Sequence, residues 1–330
     1  MDNSQTSKEI IVRIVPHLKD DGSFFEEFKW RFPKQFPAFR DVKFVFDDNQ
    51  QADIVVVLNY LKSDRRIRAR RGGVWRWDNE GGVEKYRPVG FDRIFSHSNQ
   101  IDPGLRTIAA PVLDWWVGKT FDELEALAAP EKSRLISAIA SSKAMKEGHQ
   151  QRAIFVSQLE EEFPQIDFFG RGREFELQDK WDGLAPYKYS VAIENRSKPD
   201  YWTEKISDCF LSYTVPLYFG ATNISEYFPR ESFIWLPLEN PELAKTIIRE
   251  TIERDDWESR LPALIEARRR VLEQHSFVAQ ISFQVNQARE EILKSPFVSR
   301  RVHGRRLWPK GWRRGAGPRK NLSDLIRRFL

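Results

Sequence analysis

The chain has 330 residues, a length that suggests about two domains. Its 41% hydrophobic and 13% aromatic content exclude an intrinsically disordered protein. A single cysteine, Cys209, excludes an internal disulfide and a multi-thiolate metal site, and its apolar neighbours predict a buried side chain. No run approaches the roughly 18 apolar residues that a membrane-spanning helix needs, and the polar first residues do not form a signal peptide.

The net charge of +5 hides an asymmetry between the body of the chain and its C-terminal end. From Arg300 onward there are 11 Lys or Arg and one acid, a balance of +10, so residues 1–299 carry −5. The basic character therefore belongs to the tail, where Trp308 and Trp312 are interleaved with arginines.

In the first third, short β-branched apolar runs alternate with polar segments, which is typical of buried parallel strands. Strands are predicted at residues 10–15, 42–46, 53–58, 73–77 and 91–96. A helix is predicted at residues 23–32, where four phenylalanines have near-helical spacing. The basic run at residues 65–71 is interpreted as a solvated loop, with a role beside the acceptor site as the alternative.

The second part repeats the alternation of strands and helices. Strands are predicted at residues 135–140, 166–169, 215–219 and 233–236. Helices are predicted at residues 121–129, 150–163, 241–252, 255–274 and 278–293. The pattern predicts an α/β protein with two Rossmann-like domains, at residues 1–125 and 126–295, and a basic amphipathic tail at residues 296–330.

The densest polar cluster follows the apolar run that ends at Ile193. Glu194 and Asn195 come directly after that run, and residues 201–205, Tyr-Trp-Thr-Glu-Lys, begin a helical pattern. The carboxyl end of a strand and the amino end of a helix therefore meet here, which is where open α/β sheets bind ligands and where anions are favoured.

This stretch resembles the donor-binding signature of the α-1,3-fucosyltransferases of glycosyltransferase family 10, bacterial type. The resemblance is carried by Glu194-Asn195, residues 201–205 and residues 215–220, Val-Pro-Leu-Tyr-Phe-Gly, and it extends over residues 135–240. It implies a GT-B architecture, in which two Rossmann-like domains face each other across a cleft. It also implies an inverting enzyme that moves L-fucose from GDP-fucose to a glycan hydroxyl.

The resemblance assigns two cations to the departing diphosphate. Lys205 lies in the first turn of its helix, and Arg152 opens the helix that follows residues 141–149. A solvated lysine and a surface arginine are the alternative interpretations. The resemblance implies no essential metal, and stimulation by a divalent cation is left open.

Other residues of the signature are expected to hold the sugar and ribose. Glu204 would face the developing cation of the sugar ring, although an acid in a first helical turn also needs no ligand. Thr203 or Asp200 is expected to cap the helix. Hydroxyl contacts are assigned to Glu194 and Asn195, and Tyr201 either packs on the donor or belongs to the core.

The catalytic base is expected in the N-terminal domain. Glu80 follows a predicted strand and is the candidate, with Asp78 as its rival. Gly81-Gly82 departs from the family pattern at this place and keeps a different donor or acceptor open.

The expected partners are GDP-fucose, a glycan acceptor that contains N-acetylglucosamine, and an anionic membrane surface bound through residues 300–330. Specific nucleic acid binding is not expected, because no fold for base readout accompanies the basic residues. The predicted location is the cytoplasmic face of a bacterial cell membrane. A non-catalytic membrane or nucleic-acid adaptor with a basic tail is the remaining alternative.

Overall fold

The computed structural model describes residues 9–16, 31–33, 39, 41–78, 88–98, 106–109, 115–140, 147–170 and 176–305. The chain forms two compact units, Met1–Val112 with Phe277–Leu330, and Leu113–Ser276. The first unit is discontinuous, because a helix and a strand from the end of the chain return to it. The sequence predicts consecutive domains that end at residues 125 and 295. It does not predict that the end of the chain returns to the first unit.

The first unit is built on a parallel sheet with strand order β2-β1-β3-β5-β6-β7. Its strands are β1 (Ile10–Val15), β2 (Val42–Val45), β3 (Ile54–Leu58), β5 (Val74–Trp77), β6 (Arg93–Ser96) and β7 (Arg106–Ile108). All five residues of β3 are buried, as expected for a central strand that is covered on both faces. The five strands predicted here from apolar runs are confirmed, and the predicted helix at residues 23–32 lies almost wholly outside the described residues.

The residues predicted to form a solvated loop form a strand instead. β4 (Arg65–Arg70) pairs antiparallel with β13 (Phe297–Val302), which lies inside the predicted tail. The reason is packing: Ile67, Ala69 and Val302 are buried in one apolar cluster with Val55 and Val57 of β3. Because arginines occupy the positions between Ile67 and Ala69 and on either side of them, β4 contains no continuous apolar run, and the strand was not predicted.

The second unit contains a parallel sheet with strand order β12-β11-β10-β8-β9. Its strands are β8 (Arg134–Ile139), β9 (Ile166–Phe169), β10 (Tyr187–Ile193), β11 (Val215–Phe219) and β12 (Ile234–Trp235). β8 lies between β9 and β10, so the strand order reverses there. In open parallel sheets, the crevice at such a reversal is the usual ligand site.

Helices form close to the positions that the periodicity predicted. They are α1 (Phe121–Ala126), α2 (Glu147–Glu162), α3 (Glu204–Leu211), α4 (Pro241–Arg254), α5 (Trp257–Arg270) and, in the first unit, α6 (Phe277–Lys294). A π-helical turn, Val271–His275, follows α5 within the segment that was predicted to be one helix. Within the described residues, no helix has the length and apolar content that crossing a bilayer requires.

Candidate active site

A cavity of about 700 Å³ lies at the carboxyl edge of the second sheet. Arg152 of α2, Asn195 and Arg196 after β10, and Trp235 of β12 contribute to its wall, together with Phe219 at the end of β11. Guanidinium groups suit phosphate or carboxylate oxygens, and aromatic rings suit a flat ring. The wall can therefore hold a ligand that combines an aromatic ring with anionic groups.

Glu194 closes the inner side of this cavity and is 1% exposed. Its carboxylate accepts hydrogen bonds from the Thr203 backbone N–H at 2.6 Å and from the Thr203 hydroxyl at 2.7 Å. Lys205 Nζ lies 3.4 Å from Glu194 Oε2. Burial raises the pKa of Glu194, against the opposing effect of Lys205.

Thr203 is the N-cap of α3, as predicted, and its hydroxyl accepts a hydrogen bond from the Lys205 N–H. Asp200 has a different role: its backbone has a φ of 61°, and the loop is fixed there by hydrogen bonds with Asn223 and Tyr227. Thr203 therefore connects the start of α3 to the end of β10. The local geometry of the signature depends on this connection.

Lys205 directs its ammonium group into the protein. Its Nζ lies 3.1 Å from the Thr203 hydroxyl, 3.1 Å from Glu204 Oε1 and 3.4 Å from Glu194 Oε2. An ammonium group has three donors, so these contacts can use all of them. Burial lowers the pKa of Lys205, but Glu194 and Glu204 outweigh it and the net shift is upward. Lys205 is therefore charged at neutral pH.

A second lysine completes the cluster. Lys180 Nζ lies 2.9 Å from Asp208 Oδ2 and 3.8 Å from Glu204 Oε1. Asp208 is 1% exposed and also accepts a hydrogen bond from the Trp116 N–H. Burial acts to raise the pKa of Glu204, but Lys205 and Lys180 together hold it below its ordinary value. Glu204 is therefore an anion flanked by two cations.

Arg152 reaches the strand end from α2. Its Nη1 donates a hydrogen bond of 2.7 Å to Asn195 Oδ1. Burial lowers the pKa of Arg152, partly offset by Glu194 and Glu204, and an arginine stays charged in proteins at neutral pH. The guanidinium is thus a positioned cation on the cavity wall.

Tyr201 and Trp202 lie shortly before α3, and both side chains are buried. Trp202 is 1% exposed and makes edge-to-face contacts with Phe228 and His275 at 5.2 Å and 5.5 Å between ring centroids. Tyr201 is buried and carries Lys198 over its ring at 5.3 Å. Contact of Tyr201 with a donor stays a prediction.

Gly220 allows the ends of β10 and β11 to approach. A Cβ atom at this position would lie 2.1 Å from the Tyr218 hydroxyl and 2.6 Å from Glu194 Cγ. Any other residue would therefore displace the side chain at the centre of the cluster. This explains physically why the apolar strand must end in glycine.

The structure divides the predicted site residues into two groups that meet at Glu194. Arg152, Glu194 and Asn195 line the cavity. Thr203, Glu204 and Lys205 form the cluster behind it, in which Thr203 and Lys205 contact Glu194 and Glu204 contacts Lys205. Glu80, the predicted base, lies outside the described residues.

Three residues of this site were missed in the sequence. Arg196 directly follows the Glu-Asn pair, and that position at a strand end was a usable signal. Trp235 was assigned to a strand for its apolar character, and only the sheet order brings it to the cavity. Lys180 is distant in sequence, and no local pattern identifies it.

The rival base, Asp78, has a partner of its own. Asp78 Oδ1 lies 2.7 Å from Arg76 Nε, and both side chains are 1% exposed. This buried ion pair lies at the end of β5, in the first unit. It suits a structural anchor, since a carboxylate that accepts a proton from a ligand must be accessible to it.

The fold is similar to that of solved glycosyltransferase structures. A crystal structure of an α1,3-fucosyltransferase with GDP-fucose is similar over 90% of this chain and 94% of that chain, with a TM-score of 0.57 and 16% identity. The same kind of enzyme with GDP gives a TM-score of 0.54 over 89% and 93%, at 16% identity. At this identity the likeness shows the fold, and the predicted fold class is confirmed.

The predicted family resemblance is also confirmed. Residues 129–242 match the C-terminal part of glycosyltransferase family 10 (fucosyltransferase). An α-(1,3)-fucosyltransferase of Helicobacter pylori is 33% identical over 60 residues, 18% of this chain and 13% of that protein. A GDP-fucose protein O-fucosyltransferase 3 of Danio rerio is 37% identical over 84 residues, 24% of this chain and 18% of that protein. The chain thus spans less than a fifth of the length of these relatives.

Proposed function

We propose that this chain is an inverting glycosyltransferase that moves L-fucose from GDP-fucose to a glycan hydroxyl. One observation carries the proposal: every described residue that lines the cavity lies between Arg152 and Pro241, inside the region that matches family 10. The part of the chain with the family pattern is therefore the part that builds the ligand site.

The chemistry required is the separation of a diphosphate from an anomeric carbon that becomes cationic. Arg152 and Arg196 on the cavity wall, with Lys205 behind Glu194, supply preorganised positive charge for the leaving diphosphate. Such preorganised charge is usually the largest catalytic contribution. In this proposal the protein itself supplies the cations, so no metal is essential, and a divalent cation would act only as a stimulant.

The remaining steps concern the acceptor and the sugar. The acceptor oxygen attacks the anomeric carbon, the bond to GDP breaks, and Glu80 takes the hydroxyl proton. Glu204, held ionised between two lysines, would favour the developing positive charge of the sugar ring. Glu194 is fully engaged with Thr203 and Lys205, so its proposed part is to hold the cluster in place. Asn195 Oδ1 accepts from Arg152, so the proposed contact with a sugar hydroxyl is made by the Asn195 amide N–H groups.

The acceptor in this proposal is an N-acetylglucosamine-containing surface saccharide, joined in an α-1,3 linkage. Residues 300–330, with their excess of positive charge, would bind an anionic membrane from its cytoplasmic side. The relatives named above, an α-(1,3)-fucosyltransferase and a GDP-fucose protein O-fucosyltransferase, support fucose transfer in general, and the finer choices are proposals for this chain.

The test is titration and turnover with a panel of nucleotide sugars. GDP-fucose is expected to bind more tightly than UDP sugars and to yield a fucosylated product with an N-acetylglucosamine-containing glycan. Glu80→Gln is expected to keep the affinity for GDP-fucose while suppressing turnover, because only the proton acceptor is removed. Full activity of this variant would eliminate Glu80 as the base.

The same experiment separates the alternatives. Tighter binding and turnover of another nucleotide sugar would point to a different donor on the same architecture. Absence of any nucleotide affinity, with salt-dependent binding to lipid or nucleic acid, would overturn the enzymatic proposal in favour of a basic-tailed adaptor.

A further inference from the structure

The paired strands β4 and β13 separate their arginines into two sets. The register places Arg66 opposite Arg301 and Arg68 opposite Ser299, and all four of these side chains are exposed. The residues between them in β4, Ile67 and Ala69, face the core of the first unit. The outward face of this ribbon, defined by Arg66, Arg68, Ser299 and Arg301, is therefore positively charged.

The other arginines of the two strands have structural partners. Arg70 pairs with Asp53 at 2.6 Å, Arg300 pairs with Asp92 at 2.6 Å, and Arg65 pairs with Asp48. On the outward face Arg301 pairs with Asp64 at 2.9 Å, whereas Arg66 and Arg68 have no acidic partner among the described residues. The stretches 59–71 and 295–305 contain one acid, Asp64. Among the arginines of the ribbon, Arg66 and Arg68 are therefore the ones whose charge no described acid compensates.

The positive charge on the outward face of the ribbon destabilises the strand pair, so its presence has to be explained by something other than stability. Like charges directly across a strand pair repel each other, as Arg66 and Arg301 do here. Charged residues also protect strand edges from aggregation, but lysine is the usual residue in that role. A shared positive sign over the whole face is better explained by an anionic partner.

The end of β13 and the sequence that follows it indicate what kind of anionic partner the ribbon binds. The Gly304 N–H donates to Asp64 at 3.0 Å, and the Arg305 N–H donates to the Leu61 carbonyl at 2.7 Å, so the end of β13 is tied to the loop before β4. The sequence then continues Arg-Leu-Trp-Pro-Lys-Gly-Trp-Arg-Arg over residues 306–314. Tryptophan interleaved with basic residues is typical of an anionic lipid interface rather than of a polynucleotide site.

We propose that the outward face of the ribbon, Arg66, Arg68 and Arg301, is the folded part of a docking surface for an anionic lipid bilayer. Alternation along a strand separates Arg66 and Arg68 by roughly 7 Å, and neighbouring strands lie about 5 Å apart, so three guanidinium groups share a patch a few lipid headgroups wide. The surface belongs to the first unit and is independent of the nucleotide cavity.

The test uses the full chain and vesicles of phosphatidylcholine with or without phosphatidylglycerol. The double variant Arg66→Ser/Arg68→Ser is expected to bind the anionic vesicles roughly 30-fold more weakly than wild type, about fivefold for each charge near the lipid surface. The matched control Lys43→Ser/Arg254→Ser removes two exposed charges elsewhere and should bind like wild type. Arg66→Lys/Arg68→Lys should retain most of the affinity, because the lipid surface attracts charge rather than guanidinium geometry.

Two results would overturn the proposal. One is equal vesicle binding by wild type and the Arg66→Ser/Arg68→Ser variant, which would leave the tail alone responsible. The other is loss of binding to heparin or duplex DNA by this variant with lipid binding unchanged, which would identify a polymer site. GDP affinity measured on the same proteins should be the same in all of them, so failure here is distinguishable from failure of the enzymatic proposal.

Discussion

Both units bury an ion pair at the carboxyl edge of a parallel sheet, but the two pairs have different surroundings. In the first unit, Arg76 and Asp78 are each 1% exposed. In the second, the Lys205 side chain is 22% exposed, and its partner Glu194 lines a cavity of about 700 Å³. The comparison teaches that a buried charge pair at a strand end is a structural feature first. It becomes a candidate for ligand chemistry when a cavity with further cations adjoins it.

The largest expected effect tests the structural role of the buried ion pair in the first unit. Asp78→Ala removes the carboxylate from a buried arginine, and we expect a loss of about 3–5 kcal/mol in the free energy of unfolding. Denaturant unfolding measures this loss, with the exposed Glu253→Ala as the control. An effect of Asp78→Ala as small as that of the control would contradict the anchoring role.

The second prediction concerns ligand binding in the second unit. Arg152→Ala should weaken GDP binding by about 1.5–3 kcal/mol, the usual worth of a hydrogen bond to a charged group. Lys205→Ala should weaken it less, because the Lys205 ammonium group contacts Thr203, Glu204 and Glu194 and acts on the cavity only through its charge. Calorimetry with GDP measures the change. Lys188→Ala, at the opposite end of β10, is the control and should leave the affinity unchanged. Unchanged affinities of the first two variants would remove both cation assignments.

The third prediction separates the aromatic from the cationic part of the cavity wall. Trp235→Ala should weaken GDP binding by about 1–3 kcal/mol through lost stacking, while binding of inorganic pyrophosphate stays the same. Trp116, which is 59% exposed and does not line the cavity, provides the control substitution. Equal losses for GDP and pyrophosphate would mean that Trp235 supports the fold of the cavity rather than the base.

The last prediction is a pH dependence of stability within the second unit. Lys132 donates hydrogen bonds to the Ala185 and Ser212 carbonyls and the Thr214 hydroxyl, and burial lowers its pKa from 10.5 to about 7. Between these values the unfolded chain binds more protons than the folded one, so stability should rise with pH. The slope is at most about 1.4 kcal/mol per pH unit.

This pH effect can be isolated by comparing unfolding between pH 7 and 9.5 for wild type and Lys132→Met. The variant should lack the contribution of Lys132 to the slope, whereas Lys188→Met should retain it. Identical slopes for wild type and Lys132→Met would show that Lys132 stays charged through its hydrogen bonds.

Periodicity predicted most of the secondary structure because buried parallel strands are continuous apolar runs. β9 and β11 were predicted with their observed bounds, β8 within one residue, and for β10 the end of the apolar run at Ile193 was predicted. β4 was missed because its exposed positions are arginines, so only alternate residues carry the apolar signal. β13 was missed because arginines interrupt its apolar pattern as well. Its pairing partner also lies more than two hundred residues away, so no local signal indicates the pairing.

By itself, the sequence determined the alternation of strands and helices, the apolar run that closes at Gly220, and the family resemblance, and it narrowed the cap of α3 to Thr203 or Asp200. These are properties of neighbouring residues, whose chemistry acts over a few positions of the chain. Tertiary structure decided the return of α6 and β13 to the first unit, the pairing of Lys180 with Asp208, and the place of Trp235 in the cavity wall. Each of these joins segments far apart in sequence, and the burial of apolar faces that brings them together depends on the whole fold.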